Sequence, residues 1–158
     1  MKNYLIASLL IFILCSCERS DPQANAPDVY VYATVNGEPF KYEGEDDYFA
    51  ENKPWASQFQ LGAFLSDFEG LAFATDGALT GKPQTLSISS ATYADSRYSE
   101  YASGDYSSAG KPTNGKCIIS HADNDVVEGT FYFDVYDQDG YGNKKISIKD
   151  GRFRVKYN

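Results

Sequence analysis

The segment Val29-Tyr30-Val31-Tyr32-Ala33-Thr34-Val35 changes character at every residue, and Asn36-Gly37 follows it directly. Side chains alternate faces along a strand. A period of two therefore puts Val29, Val31, Ala33 and Val35 on one aliphatic face and Tyr30, Tyr32 and Thr34 on the other. A helix would scatter the same residues around its circumference. Asn-Gly supplies both positive-φ positions of a tight two-residue hairpin turn, so Glu38 to Tyr42 is expected to return beside the first strand. Pro39 has no amide to donate and pushes that second strand towards an edge.

The same period recurs downstream. Gln58 to Leu65 places Phe59, Leu61, Ala63 and Leu65 on one face. Leu71 to Thr75 and Thr85 to Ser90 read as short strands, with Leu86 and Ile88 pointing alike. Lys116 to His121 is another. Val127 to Tyr136 sets Phe131, Phe133 and Val135 against Thr130, Tyr132, Asp134 and Tyr136. Lys145 to Lys149, a turn at Asp150-Gly151, and Arg152 to Tyr157 read as a closing hairpin. Ala91 to Gly115, rich in Ser, Gly and Tyr, is a weak stretch; a loop of that length is unusual unless it contains strands or serves a function. No window carries a helical period with caps. The expectation is an all-β fold, an antiparallel β-sandwich or partly open barrel. The chain has 158 residues, 42% of them hydrophobic, which argues for one globular domain and against disorder. That domain occupies residues 29–158.

The first residues read as an address. Lys2 precedes an apolar run from Tyr4 to Leu14, too short to span a bilayer as a mature helix but suited to a secretory leader. Leu14-Cys15-Ser16-Cys17 resembles the lipobox of bacterial lipoproteins, with Leu three residues before the Cys and a small residue just before it. The resemblance implies a signal peptide over 1–16 and a membrane anchor through lipidated Cys17; a plain signal peptide or a weak membrane anchor is the other reading. Cys15 is a poorer acceptor because Ile13 and Leu14 before it are bulky. Residues 17–28 hold no large apolar side chain and two prolines, and read as a flexible tether. The address is the bacterial outer membrane, facing either the periplasm or the cell surface. Acidic residues after the lipid Cys resemble surface-export signals, but Arg19 interrupts them. Of 3 cysteines, Cys117 is then the one left in the domain, so no internal disulfide can form.

The 14 basic and 22 acidic residues give a formal charge of -8. Such a chain repels phosphate backbones, which argues against nucleic acid as a partner.

Four landmarks occur in order: Tyr32 to Phe40 around Val35-Asn36-Gly37-Glu38-Pro39-Phe40, Gly115 to Ser120, Glu128-Gly129-Thr130-Phe131-Tyr132-Phe133, and Ile146 to Phe153 with Gly151-Arg152-Phe153. Together with the lipobox they resemble a family of Bacteroidetes-type lipoproteins whose domain has no known function. The resemblance covers nearly the whole mature chain. It implies an all-β fold and an envelope location, and transfers no catalytic residue. The motifs themselves read as structural: Gly129 suits a bulge or close backbone approach, and Phe40, Phe131 and Phe153 suit a core.

Several groups invite a functional reading, each beside a plainer one. Tyr93, Tyr98, Tyr101 and Tyr106 stand among small polar residues, a composition suited to recognising a glycan or protein; a β-meander with tyrosines packed beneath it is the alternative. Asp134, Asp137, Asp139 and Asn143, with Gly140, offer hard oxygen ligands for calcium, but the spacing departs from the EF-hand loop and a solvated hairpin explains the same residues. The acidic run Glu43 to Asp47 is a cation site or a solvated face. His121, near Asp123 and Asp125, is a general base or a strand-end residue. Cys117 is a redox thiol or inert core. Carboxylate pairs for glycoside hydrolysis meet only in space and leave no sequence signature. No cofactor is otherwise implied. The function expected is a non-enzymatic binding module for a glycan or envelope protein. The alternatives are an assembly component that adds strands at exposed edges and a small carboxylate-dependent hydrolase.

Overall fold

The computed structural model describes residues 27–95, 98–104, 111–137 and 144–157, with the backbone alone described at 98–100, 103 and 104. The strands are β1 (Tyr30–Val35), β2 (Glu38–Glu43), β3 (Tyr48–Lys53), β4 (Gln58–Ser66), β5 (Glu69–Thr75), β6 (Gln84–Asp95), β7 (Tyr98–Gly104), β8 (Gly115–Ala122), β9 (Val126–Asp137) and β10 (Lys145–Lys156). A 3-10 turn, Pro54–Ala56, joins β3 to β4. The all-β expectation holds.

Every paired strand is antiparallel, along the path β2-β1-β10-β9-β7-β6-β5-β4-β3, with β8 pairing both β6 and β9. One row of this sheet is broken. β6 pairs with β8 through Gln84–Ile88 and with β7 through Ser90–Asp95, and β9 pairs with both in the same sense. β7 and β8 therefore lie end to end in one row. Thr113 fills the break: its hydroxyl donates to the Ile88 carbonyl and accepts from the Gly115 amide at 3.2 Å.

β2 and β3 follow one another in the chain and form the two ends of the path, β2 against β1 and β3 against β4. The Gly44 amide reaches the Val29 carbonyl at 3.4 Å and prolongs the β1–β2 ladder. The Phe64 amide reaches the Asp47 carbonyl at 2.9 Å and prolongs the β3–β4 ladder. With each of these two pairs of strands counted as one row, the ten strands fill eight, an even number that can close antiparallel throughout. The sheet curls into an up-and-down barrel, open at the kink between Gly44 and Asp47. The curl is visible in the core. Phe59 of β4 stacks on Phe153 of β10 at 6.2 Å, although these strands are far apart along the sheet. Phe73, Phe131 and Phe133 complete the aromatic centre, with Phe73 and Phe131 5.2 Å apart. Burying such rings supplies most of the driving force for folding. The inside is apolar and the outside polar, the reverse of a barrel that faces lipid.

The opening hairpin forms as its sequence dictates. Asn36 and Gly37 take φ of 49° and 93°, and β2, carrying Pro39, ends the hydrogen-bonded path.

Two expectations are corrected. Asp150-Gly151 is not a turn: β10 runs unbroken through it, and its register against β9 shifts between Ile148 and Gly151. Asp150 has φ of 51°, so this is a bulge with one extra residue. The insertion changes the phase, so that Ile146 and Ile148 before it and Phe153 and Val155 after it all point inward. Leu65 does not join the core face of β4. The register slips after Phe64 and Leu65 is 42% exposed. The stretch from Ala91 to Gly115 contains strands, as its length allowed: the second half of β6 and all of β7.

Candidate functional site

The chain enters the barrel at one end, where Val29 leads into β1. The other end is a mouth, bounded by the β1–β2 turn, the start of β5, the end of β6 and the start of β10. A recess of ≈ 250 Å³ lies there, lined by Val35, Phe40, Ile146, Glu38, Glu69 and Tyr93, with Asp95 and Lys144 at its polar side.

The sequence of β6 explains why a carboxylate is buried at this point. Ala91, Tyr93 and Asp95 follow one another at a period of two and all face inward. Ala91 and Tyr93 fill the upper core, and Asp95 prolongs that face into the mouth, where it is only 4% exposed. Burying a carboxylate is costly unless hydrogen bonds compensate. The Tyr93 hydroxyl donates one, at 3.2 Å, to Asp95 Oδ2. Tyr101 stands opposite Tyr93 on β7 and is 1% exposed, with the Lys144 ammonium 5.8 Å from its ring centroid. Tyr101 also stands opposite Asp137 on β9, whose amide donates to the Lys144 carbonyl at 3.2 Å. The mouth thus combines an apolar floor with hydroxyl, carboxylate and ammonium groups.

Of the two readings of the tyrosine group, Tyr93 and Tyr101 follow the plainer one, packed within a β-meander. Tyr93 and Tyr101 do not lie on an exposed loop. They are strand residues buried in the upper core because each falls on the inward phase of its strand. Tyr98 lies on β7 and Tyr106 lies outside the described residues. Asp95, two positions after Tyr93, shares its inward face.

Two of the proposed calcium ligands, Asp134 and Asp137, are set on opposite faces by the strand period. Asp134 faces outward from β9, where its carboxylate accepts the Ser147 hydroxyl at 2.8 Å and pairs with Lys145 at 3.3 Å. Asp137 falls in phase with inward Val135. Asp139 and Asn143 lie outside the described residues. Among the described residues no three His, Cys, Asp or Glu side chains converge as a metal would require.

The remaining candidates have structural settings. The acidic run is tied down by Lys41 on Glu43 at 3.0 Å and by Lys156 on Glu45. His121 is exposed at the end of β8, 3.0 Å from Asp123. Cys117 is fully buried, and burial pushes its thiol up to about 12. Cys17 and the tether lie outside the described residues. Among those described, no helix is long and apolar enough to cross a membrane. Compared with known protein families, curated proteins and solved structures, the chain matches none.

Proposed function

We propose that this protein is a non-enzymatic binding module of the bacterial envelope, anchored through lipidated Cys17, that receives a glycan at the mouth of its barrel. The observation that carries the reading is the buried Tyr93–Asp95 pair, held at the end of the barrel away from the entry of the tether. Carboxylate and hydroxyl groups over an apolar floor are the chemistry that recognises a sugar ring, which offers several hydroxyl donors and an apolar face. Mouths of barrels are common ligand sites. The recess is below the roughly 300–1,000 Å³ of pockets for drug-sized ligands. It suits a terminal sugar residue better than an extended polymer. Strand addition at β2, which ends the hydrogen-bonded path, has less support, because Pro39 offers no amide to an added strand.

The test is a glycan screen with the purified full chain, followed by calorimetry on Asp95→Asn and Glu69→Gln. Binding weakened about tenfold or more by Asp95→Asn is the expected result, since a buried charged hydrogen bond contributes about 1.5–3 kcal/mol. Binding untouched by both substitutions places the ligand elsewhere. Anchoring is tested separately: Cys17→Ala should release the protein from membranes, and unchanged membrane partitioning would overturn it.

A further inference from the structure

The outside of the barrel is divided by charge. β10 projects Lys145, Lys149, Arg152, Arg154 and Lys156 outward while Ile146, Ile148, Phe153 and Val155 fill the core. The bulge at Asp150 keeps every one of these cations on the outer face, because it resets the phase for both sides of the strand at once. With Lys41 on β2 and Lys116 on β8, half of the chain's 14 basic residues share the rows from β8 to β2. The carboxylates facing outward on the strands of those rows are fewer, Glu43, Glu128, Asp134 and Asp150, with Glu45 reaching Lys156 from the kink. This is an excess of cations on a chain of net charge -8. The facing rows from β3 to β6 present mainly neutral side chains such as Gln60, Ala72, Ala74 and Thr92.

The basic face also carries aromatic rings. Tyr30 and Tyr32 stack at 4.8 Å and 16°. The Arg152 guanidinium lies 5.0 Å from the Tyr32 centroid, and Lys41 lies 5.8 Å from it. Lys41, Lys145, Arg154 and Lys156 pair with carboxylates, whereas Arg152 and Lys149 form no ion pair among the described residues.

We propose that this face is the surface the barrel turns towards an anionic phospholipid bilayer. A domain of net negative charge is repelled by such a membrane as a whole, and screening over about 8–10 Å makes the nearest charges decide the orientation. Tyrosine rings between cations are suited to the headgroup layer, where one end of the side chain is apolar and the other wet. β1, a row of this face, is also the strand that the tether leads into. That last argument rests on the anchoring read at Cys17; the charge argument does not. A barrel lying on this side leaves its mouth open along the membrane plane.

The test is co-sedimentation of the purified full chain carrying Cys17→Ala with vesicles of phosphatidylcholine alone or mixed with phosphatidylglycerol. The expected result is a preference for phosphatidylglycerol that disappears at high salt. Arg152→Ala and Lys149→Ala should each weaken that preference about fivefold, the value of one basic residue near an anionic surface. Arg152→Lys, which keeps the charge and loses the planar contact with Tyr32, should retain it, and Lys82→Ala, off this face, should match the parent. Equal sedimentation with both vesicles overturns the proposal. So does a preference that survives the two alanine substitutions, or binding to a soluble anionic polysaccharide without binding to vesicles. Release of Cys17→Ala from cell membranes is read independently, so failure of the anchor and failure of the face are distinct outcomes.

Discussion

The Thr113 carbonyl accepts the Asp134 amide at 2.7 Å, in the gap where the row shared by β7 and β8 is broken. Thr113 thereby stands in for a missing strand residue towards β9, while its hydroxyl serves β6 through the Ile88 carbonyl. The residue is 4% exposed, so its bonds have no water to replace them. Thr113→Val preserves the shape and removes the hydroxyl, leaving a buried carbonyl and the Gly115 amide unsatisfied. A loss of about 1–3 kcal/mol is expected in urea denaturation. Thr113→Ser should stay close to the parent; equal destabilisation by both would show that the methyl group matters and the hydroxyl does not.

The bulge of β10 depends on close approach. A Cβ on Gly151 would lie 2.5 Å from the Phe131 carbonyl oxygen and 2.6 Å from its ring. Neither a backbone carbonyl nor a core ring can move without disturbing its neighbours. Gly151→Ala should cost about 1–3 kcal/mol, as overpacked cores do. Denaturation at an unchanged urea midpoint would contradict this packing.

Asp123 closes the turn between β8 and β9. Its Oδ1 accepts the Asp125 and Val126 amides at 2.9 and 2.8 Å, and its Oδ2 lies 3.0 Å from the His121 imidazole. The two amides first, and then His121, hold the carboxyl at about 2, below its ordinary 3.8. A carboxyl with a depressed folded value stabilises the fold above its unfolded value, and that contribution fades as the pH falls through the folded one. Asp123→Ala should therefore melt at a lower temperature than the parent near neutral pH, with the gap narrowing between about pH 4 and pH 2. Melting curves across that range are the check; a constant gap would remove the charge from the explanation.

Cys117 has a thiol that is both inaccessible and, at about 12, hard to ionise. The thiolate is the reactive form. Alkylation at pH 8, read at this residue by mass spectrometry, should be negligible in the folded protein and rapid in urea. Fast native labelling would mean that the barrel opens locally around β8.

Much of this architecture could be read from local pattern. The inward face of β1, its Asn36-Gly37 turn and the aromatic row of β9 follow from a period of two and from turn chemistry, both properties of a few consecutive residues. Asp150-Gly151 misled because a tight turn and a bulge ask for the same residues; only a β9 long enough to pair with both halves of β10 decides between them. Tyr93 and Tyr101 stay open between a recognition surface and a packed meander because Ser and Gly around them read equally as loop, whereas their burial comes from strands elsewhere in the barrel.

By itself, then, the sequence determined that the chain is all-β, which side chains of its clear strands face inward, and that Leu14 to Cys17 resembles a lipobox. The tertiary structure decided how ten strands share eight rows, which end of the barrel carries Asp95, and which side gathers the cations of β10. The physical reason is range. Alternation and turn preference are set by neighbouring dihedral angles, whereas a row, a mouth or a charged face exists only once segments distant in the chain are hydrogen-bonded side by side.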